Sequence, residues 1–327
     1  MVGEFVGGVS DKHPEETAAG AVRDGVWSVV GASGFVGSAI VSELCSRGIE
    51  VRRVTAPRLE LQPTNSRHSD VVERAHKELP SELIRALSGS QVVINAAGIA
   101  EPRAARSARL LGANGLLPTV VGLAADAAGA DRYLHISSAA VQGRRPILDE
   151  SPSVSPFSPY SLSKAIGEQA LLSCIDQMKI PTVIVRATSV QGVGRETTVR
   201  LQSISRSVLA SVARPGSQPS AVSSIAELVR LVVDLGEMEG AMPQIVLQPW
   251  EGLSVTQVLV ACSGRDPVRL PRWICRMTIA AGYGAGRVLP RIRGRVRQLE
   301  MMWLGQRQVD GWASARGSRE VMVALTS

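Results

Sequence analysis

The run WSVVGASGFVG, Trp27 to Gly37, passes from a β-rich tetrapeptide straight into three spaced glycines and then into a helical pattern. Glycine at 31, 34 and 37 lets the chain turn tightly, lets backbone amides approach a pyrophosphate, and lets the helix pack close to the strand. The helix N-terminus adds partial positive charge at the same place. A glycine triplet alone also describes a tight turn without a ligand. Its seat between a first strand and an amphipathic helix favours dinucleotide binding.

Outward from this turn, short β-rich runs alternate with longer helical ones, the pattern of a parallel sheet covered by helices on both faces. Val26 to Val30 is the first strand, and Ser38 to Arg47 is a helix with Ile40, Val41, Leu44 and Cys45 on its apolar side. Glu50 to Thr55, Gln91 to Ala96, Arg132 to Ser137 and Thr182 to Ala187 are further strands, the last three with the continuous apolar character of buried parallel strands. The alternation calls for another strand near Val71 and Val72, within the ambiguous stretch 56–80. Leu116 to Ala128 and Ser161 to Gln177 are helical, and a further helix starts at Val222 and feeds a late strand near Ile245. The fold class is α/β, a Rossmann-type doubly wound parallel sheet. Residues 1–25 are expected to be a mobile extension, and 26–188 the dinucleotide-binding domain, completed by about 221–248. The Pro-, Gly-, Ser- and Arg-richer stretches 189–220 and 249–327 are assigned to a smaller interleaved substrate lobe.

Length and composition agree with a sizeable core: 327 residues, 45% hydrophobic. Cys45, Cys174, Cys262 and Cys275 lack metal-ligand spacing, no metal is expected, and no secretory signal precedes them, so reduced thiols in the cytoplasm are the expectation. No window reaches the roughly 18 uninterrupted apolar residues of a spanning helix. The formal charge of +7 is uneven, because Arg269, Arg272, Arg276, Arg287, Arg291, Arg293, Arg295 and Arg297 share one stretch without an acid. That stretch has no zinc ligands or aromatic stacking platform, which argues against nucleic acid.

Tyr160 and Lys164 stand four apart at the start of a helix, so both side chains reach one site. Tyrosine ionises near pH 10 and needs a nearby positive charge to work as acid or base near neutrality, which Lys164 and an oxidised nicotinamide supply. Ser138 follows a strand whose carboxyl end faces the ligand crevice of such sheets, where its hydroxyl can hold a substrate oxygen; alone, it reads more readily as a turn or capping hydroxyl. His135 lies at an inward strand position and is a packed core residue. At the end of the second strand an acid would meet the ribose hydroxyls of NAD, whereas arginine would meet the phosphate of NADP. No acid lies there, and Arg53 and Arg58 flank it, so the reading leans to NADP, with a solvated basic face as the alternative.

Together GASGFVG (31–37), NAAG (95–98), SSAAVQG (137–143) and SPYSLSK (158–164) resemble the extended short-chain dehydrogenase/reductase family, in order and spacing, over about residues 26–250. The resemblance implies a catalytic triad of Ser138, Tyr160 and Lys164. It implies a cofactor site built from Gly31, Ser33, Gly34, Phe35, Val36 and Gly37, from Ala96, Ala97 and Gly98 where backbone borders the dinucleotide, and from Asn114, Tyr160 and Lys164. VIVRATSVQG from Val183 looks like the segment lining the sugar-nucleotide site, so Ser138, Ala139 and Ser189 are the expected substrate contacts.

Such enzymes usually act on nucleotide-activated sugars through a 4-keto species. Those that dehydrate carry an Asp-Glu pair after the catalytic serine or threonine, where this chain has Ala139 and Ala140, and no Cys and His pair for 3,5-epimerisation stands near Ser189 or Gly192. Epimerisation at one carbon and simple ketone reduction survive. Ser189 replaces a usual asparagine, and Gln142 and Gln191 stand where tyrosine is usual, so the expected pocket is less aromatic. A dehydrogenase of a hydrophobic alcohol or ketone is the alternative enzyme, and a non-catalytic dinucleotide sensor the alternative outside enzymes. Expected partners are a small-molecule substrate, a nucleotide sugar first, and a second copy in a homodimer. The arginine-rich stretch has three readings: guanidinium groups for a diphosphate, a peripheral contact with an anionic membrane through interleaved Trp273, Ile274, Met277, Ile279 and Ala281, or a solvated face. LeuGluMetMetTrpLeu from Leu299 reads as a packed helix.

Overall fold

A computed structural model describes residues 25–65, 67–100, 106–207, 210–289, 292–313 and 325–326. The expected mobile extension therefore lies almost wholly outside the described residues, as does Arg291. Six parallel strands form the central sheet: β1 (Val26–Val30), β2 (Val51–Val54), β3 (Ser90–Asn95), β4 (Arg132–Ser138), β5 (Thr182–Ala187) and β6 (Ile245–Leu247). Their order is β2-β1-β3-β4-β5-β6. The sheet grows one way from β1 to β2 and the other way from β1 to β3, so a crevice opens above the carboxyl ends of β1 and β3.

Period-two alternation sends neighbouring strand residues to opposite cores. Val29, Ile94, Leu134 and Val183 pack with Ile40, Leu44, Leu228 and Val232 on one face. Val30, Val93, Tyr133 and Ile184 pack with Leu117, Val121 and Leu171 on the other.

Two expected elements differ. Val71 and Val72 lie in a helix, His68–Lys77, not a strand. Val71 and Ala75, four apart, are its buried residues among polar neighbours, and one apolar edge satisfies a helix where a central strand would need two apolar faces. Val222–Ser224 is a short strand paired with Ser189–Gln191, and the helix begins only at Ile225, capped by the Ser224 hydroxyl, which accepts from the amide of Glu227.

One helix, Ala108–Ala127, is long and apolar enough by length and composition to cross a membrane, but 83% of its apolar window is buried inside the protein. Its regular winding is interrupted by a π-helical turn, Gly112–Leu116. Outside the sheet, Ser211–Ala213 pairs with Val268–Leu270 and Ile147–Leu148 with Arg307–Gln308, flanked by a hairpin of two helices, Arg272–Val288 and Arg293–Leu304. Trp303 in the expected packed run is buried.

Candidate active site

β1 ends at Gly31, whose φ of 82° lies in the left-handed region, and a Cβ there would sit 2.6 Å from the Ala97 Cα. Only glycine lets β1 and the end of β3 close together. A Cβ on Gly37 would meet the Gly31 carbonyl oxygen at 2.2 Å, so the third glycine seats the helix on the turn. The helix Phe35–Ser46 starts with no side-chain cap and no acid in its first turn. Its first amides therefore remain donors for an anion, and Ser33, Gly34 and Phe35 are exposed at the mouth. These residues fit the diphosphate of a dinucleotide.

Across the crevice, the Ala96 amide donates to the Val30 carbonyl at 2.9 Å and the Ala97 amide to Asn95 Oδ1 at 3.0 Å, which fixes the backbone expected to border the cofactor. Asn114, on the π turn, accepts from the Ile99 amide (2.9 Å) and donates to the Ile99 carbonyl (3.0 Å) and to Ser163 Oγ (3.0 Å). Its side chain is thus engaged inside the protein. It shapes the crevice by clamping the backbone at Ile99, just after Gly98.

The helix Pro159–Ile175 brings in Tyr160 and Lys164. A capping box fixes its first turn: Ser158 Oγ accepts from the Ser161 amide at 3.1 Å, and Ser161 Oγ accepts from the Ser158 amide at 2.8 Å. Lys164 is buried, its Nζ donates to the Ile136 carbonyl at 3.0 Å, and a Cβ on Gly98 would lie 3.2 Å from that Nζ. Burial lowers the Lys164 pKa to about 8, partly opposed by the Glu168 carboxylate. The ammonium therefore persists near neutrality.

Ser138 lies beside Tyr160 and acts on the acidity of its phenol. Loss of water around the phenol raises its pKa, and the Ser138 hydroxyl and the nearby Arg195 guanidinium hold it down. Ser138 also accepts from the Ala140 amide at 3.2 Å, so one hydroxyl both caps the following turn and meets the tyrosine. His135 is fully buried, and burial with the neighbouring Lys164 holds its pKa well below the usual imidazole value, as suits a neutral core residue.

The other expected positions divide. Ala139 packs in a small cluster with Leu148 and Leu247, its side chain buried, while Ser189 is exposed. Gln142 is buried, donating to Asp149 Oδ1 at 2.7 Å and accepting from the Asp149 amide at 2.9 Å. Gln191 donates to the Ser189 carbonyl at 3.0 Å. Both glutamines are occupied holding loops. Arg53 and Arg58 are exposed and, among the described residues, make no hydrogen bond or ion pair. Arg297 turns inward, donating to the Gly143 carbonyl at 2.6 Å, and with Arg144, Phe157, Tyr283, Arg293 and Glu300 it lines a cavity of about 270 Å³.

Two features escaped the sequence reading. Arg195 stacks on the Phe35 ring (5.0 Å to the centroid), donates to the Val190 carbonyl at 2.6 Å, and interacts electrostatically with Tyr160. It joins the glycine turn to the tyrosine, and its only sequence signal is a charge in the Gly-rich segment after β5. Beneath Lys164, Glu168 accepts from Ser137 Oγ at 2.8 Å and forms a buried ion pair with Arg186. That arginine lay hidden in a run read as apolar.

The model of the NAD dependent epimerase/dehydratase family matches residues 27–220, and the chain belongs to this family of enzymes. A 4-hydroxy-2-methyl-3-oxo-4-farnesyl-3,4-dihydroquinoline-1-oxide ketoreductase of Stigmatella aurantiaca is 32% identical over 171 residues, half of each chain. The chain thus spans half the length of the curated relative it matches. Among solved structures, MoeE5 with UDP-glucuronic acid and NAD is similar at a TM-score of 0.60 and 20% identity, covering 92% of this chain and 98% of that one. UDP-glucuronic acid 4-epimerase of Bacillus cereus, with UDP-glucuronic acid and NAD, gives 0.56 and 20%, covering 75% and 85%. At that identity the likeness is one of fold: a Rossmann-like parallel sheet.

Proposed function

We propose that the chain is an NAD(P)-dependent epimerase or ketoreductase of a nucleotide-sugar carbonyl, with Tyr160 as its acid and base. The observation that carries this reading is the placement of Tyr160 beside Ser138 and one helical turn from the buried Lys164, at the crevice where the glycine turn leaves its amides uncapped. Gly31 to Gly37 and the 96–98 backbone would hold the dinucleotide, which when bound would supply or accept the hydride. Ser138 holds the substrate oxygen, and Tyr160 gives it a proton in reduction or takes one in oxidation. Lys164 fixes positive charge below the tyrosine. With Ala139 and Ala140 after the serine, no carboxylate stands there to expel water, which favours these reactions over dehydration. The solved structures described above hold NAD, and a preference for NADP rests only on the free, exposed Arg53 and Arg58.

A second reading, reduction of a hydrophobic ketone, is favoured by the farnesylated substrate named for the Stigmatella aurantiaca relative. Incubation with UDP- and dTDP-sugars and with farnesylated or polyketide-like ketones, each with NADH and NADPH, followed by mass analysis, separates the two. An isomer formed without net cofactor oxidation supports epimerisation, and a product two hydrogens heavier supports reduction. Tyr160→Phe should lower kcat about 10²–10⁴-fold while leaving dinucleotide binding intact. Undiminished turnover in that variant would sink the mechanism.

A further inference from the structure

The helix Arg272–Val288 has two apolar sides, and only one is used. Cys275, Ile279 and Gly286 are buried against the protein, with Gly282 close to Val296 of the second hairpin helix. On the opposite side Trp273, Met277, Ala280, Ala281, Gly284 and Val288 form a stripe spaced i, i+4, i+7, i+8, i+11 and i+15, all of them exposed. Trp273 is 64% exposed, Met277 65% and Val288 82%. Three large apolar side chains left in water on one helix face, with small residues between them, mark an interaction surface.

Charge selects the occupant. Arg272, Arg276 and Arg287 border the stripe along one flank, exposed and, among the described residues, without hydrogen bond or ion pair. No Asp or Glu occurs between Asp266 and Glu300. A second copy docked on this face would bring the same arginines against each other. A bilayer with anionic headgroups satisfies both parts at once: the stripe enters the boundary between headgroups and acyl chains, with the tryptophan at its edge, while the guanidinium groups meet lipid phosphates. We infer that the exposed face of Arg272–Val288 docks the enzyme on an anionic lipid surface.

The test uses the full chain in co-sedimentation with large vesicles of phosphatidylcholine alone and of phosphatidylcholine with about one third phosphatidylglycerol. The expected result is pelleting with the anionic vesicles only, weakened by salt. Arg272→Gln, Arg276→Gln and Arg287→Gln should each lower the partition coefficient about fivefold. Trp273→Ser with Met277→Ser should lower it at least about tenfold. As surface changes, all five should leave the melting temperature near that of the parent. Equal pelleting with neutral vesicles, no pelleting at all, or indifference to the arginine changes overturns the inference. So does a vesicle-free dimer that protects residues 272–288 from hydrogen exchange.

Discussion

On the proposed reading, the acidity of one phenol decides the chemistry of this crevice. Burial pushes the Tyr160 pKa up, whereas Ser138 and Arg195 pull it down. As a proton donor in ketone reduction, Tyr160 needs no help near neutrality. As an acceptor in alcohol oxidation it must ionise, so the oxidation rate should rise with pH until the phenol titrates. Removing either stabilising group leaves desolvation less opposed. Ser138→Ala and Arg195→Gln should therefore both move the rising limb of the kcat/KM profile for oxidation to higher pH, measured with saturating dinucleotide. A limb that stays put in Arg195→Gln, or moves down, would remove that arginine from the tyrosine's electrostatics. The tyrosine and lysine were legible from their spacing alone. Arg195 was not, because it reaches the site by folding back over Phe35, and nothing local in the sequence marks that return.

The helix Pro159–Ile175 carries the working groups in register. Tyr160, Lys164 and Glu168 recur every fourth residue and so form one row, with the capping box holding the first turn in place. The same side of this helix meets the π turn: a Cβ on Gly167 would lie 2.1 Å from the Asn114 carbonyl oxygen. In an open helix, glycine to alanine stabilises by about 1 kcal/mol through propensity. Here contact with rigid backbone outweighs that gain. Gly167→Ala should destabilise the protein by about 1–3 kcal/mol, seen as a lower urea midpoint, and weaken dinucleotide binding by displacing the Asn114 clamp on Ile99. A more stable variant would mean that the π turn yields freely. π turns cost regular hydrogen bonding and gather at functional sites, and this one holds Asn114 where two segments must be clamped. Asn114 was singled out through the family resemblance, whereas the change of helical pitch under it was not, since the helical pattern was read only from Leu116.

At the scale of the whole molecule, the sheet order places the glycine turn, the Ala96–Gly98 backbone and Ser138 along one edge, at the carboxyl ends of β1, β3 and β4. Apolar runs separated by helical ones were enough to read that arrangement. What ties its layers together was invisible, because the decisive side chain sits in the apolar run Thr182–Ala187 of β5. Arg186 is fully buried, donates to the carbonyls of Asp149 (2.8 Å) and Ser151 (2.7 Å), and pairs with Glu168 one turn below Lys164. It therefore joins the sheet, the helix of Tyr160 and Lys164, and the loop after the serine turn. A buried pair need not stabilise relative to an apolar replacement, but half of one is costly. Arg186→Met strands the Glu168 carboxylate and two carbonyls, and should cost about 3–5 kcal/mol in equilibrium unfolding. Adding Glu168→Gln removes the lone charge and should recover part of that loss, because Gln still accepts from Ser137. If the double variant is as unstable as the single one, the loop carbonyls rather than the ion pair account for the hold of Arg186 on the fold. The Tyr160–Lys164 site would then depend on the 149–151 loop for its support.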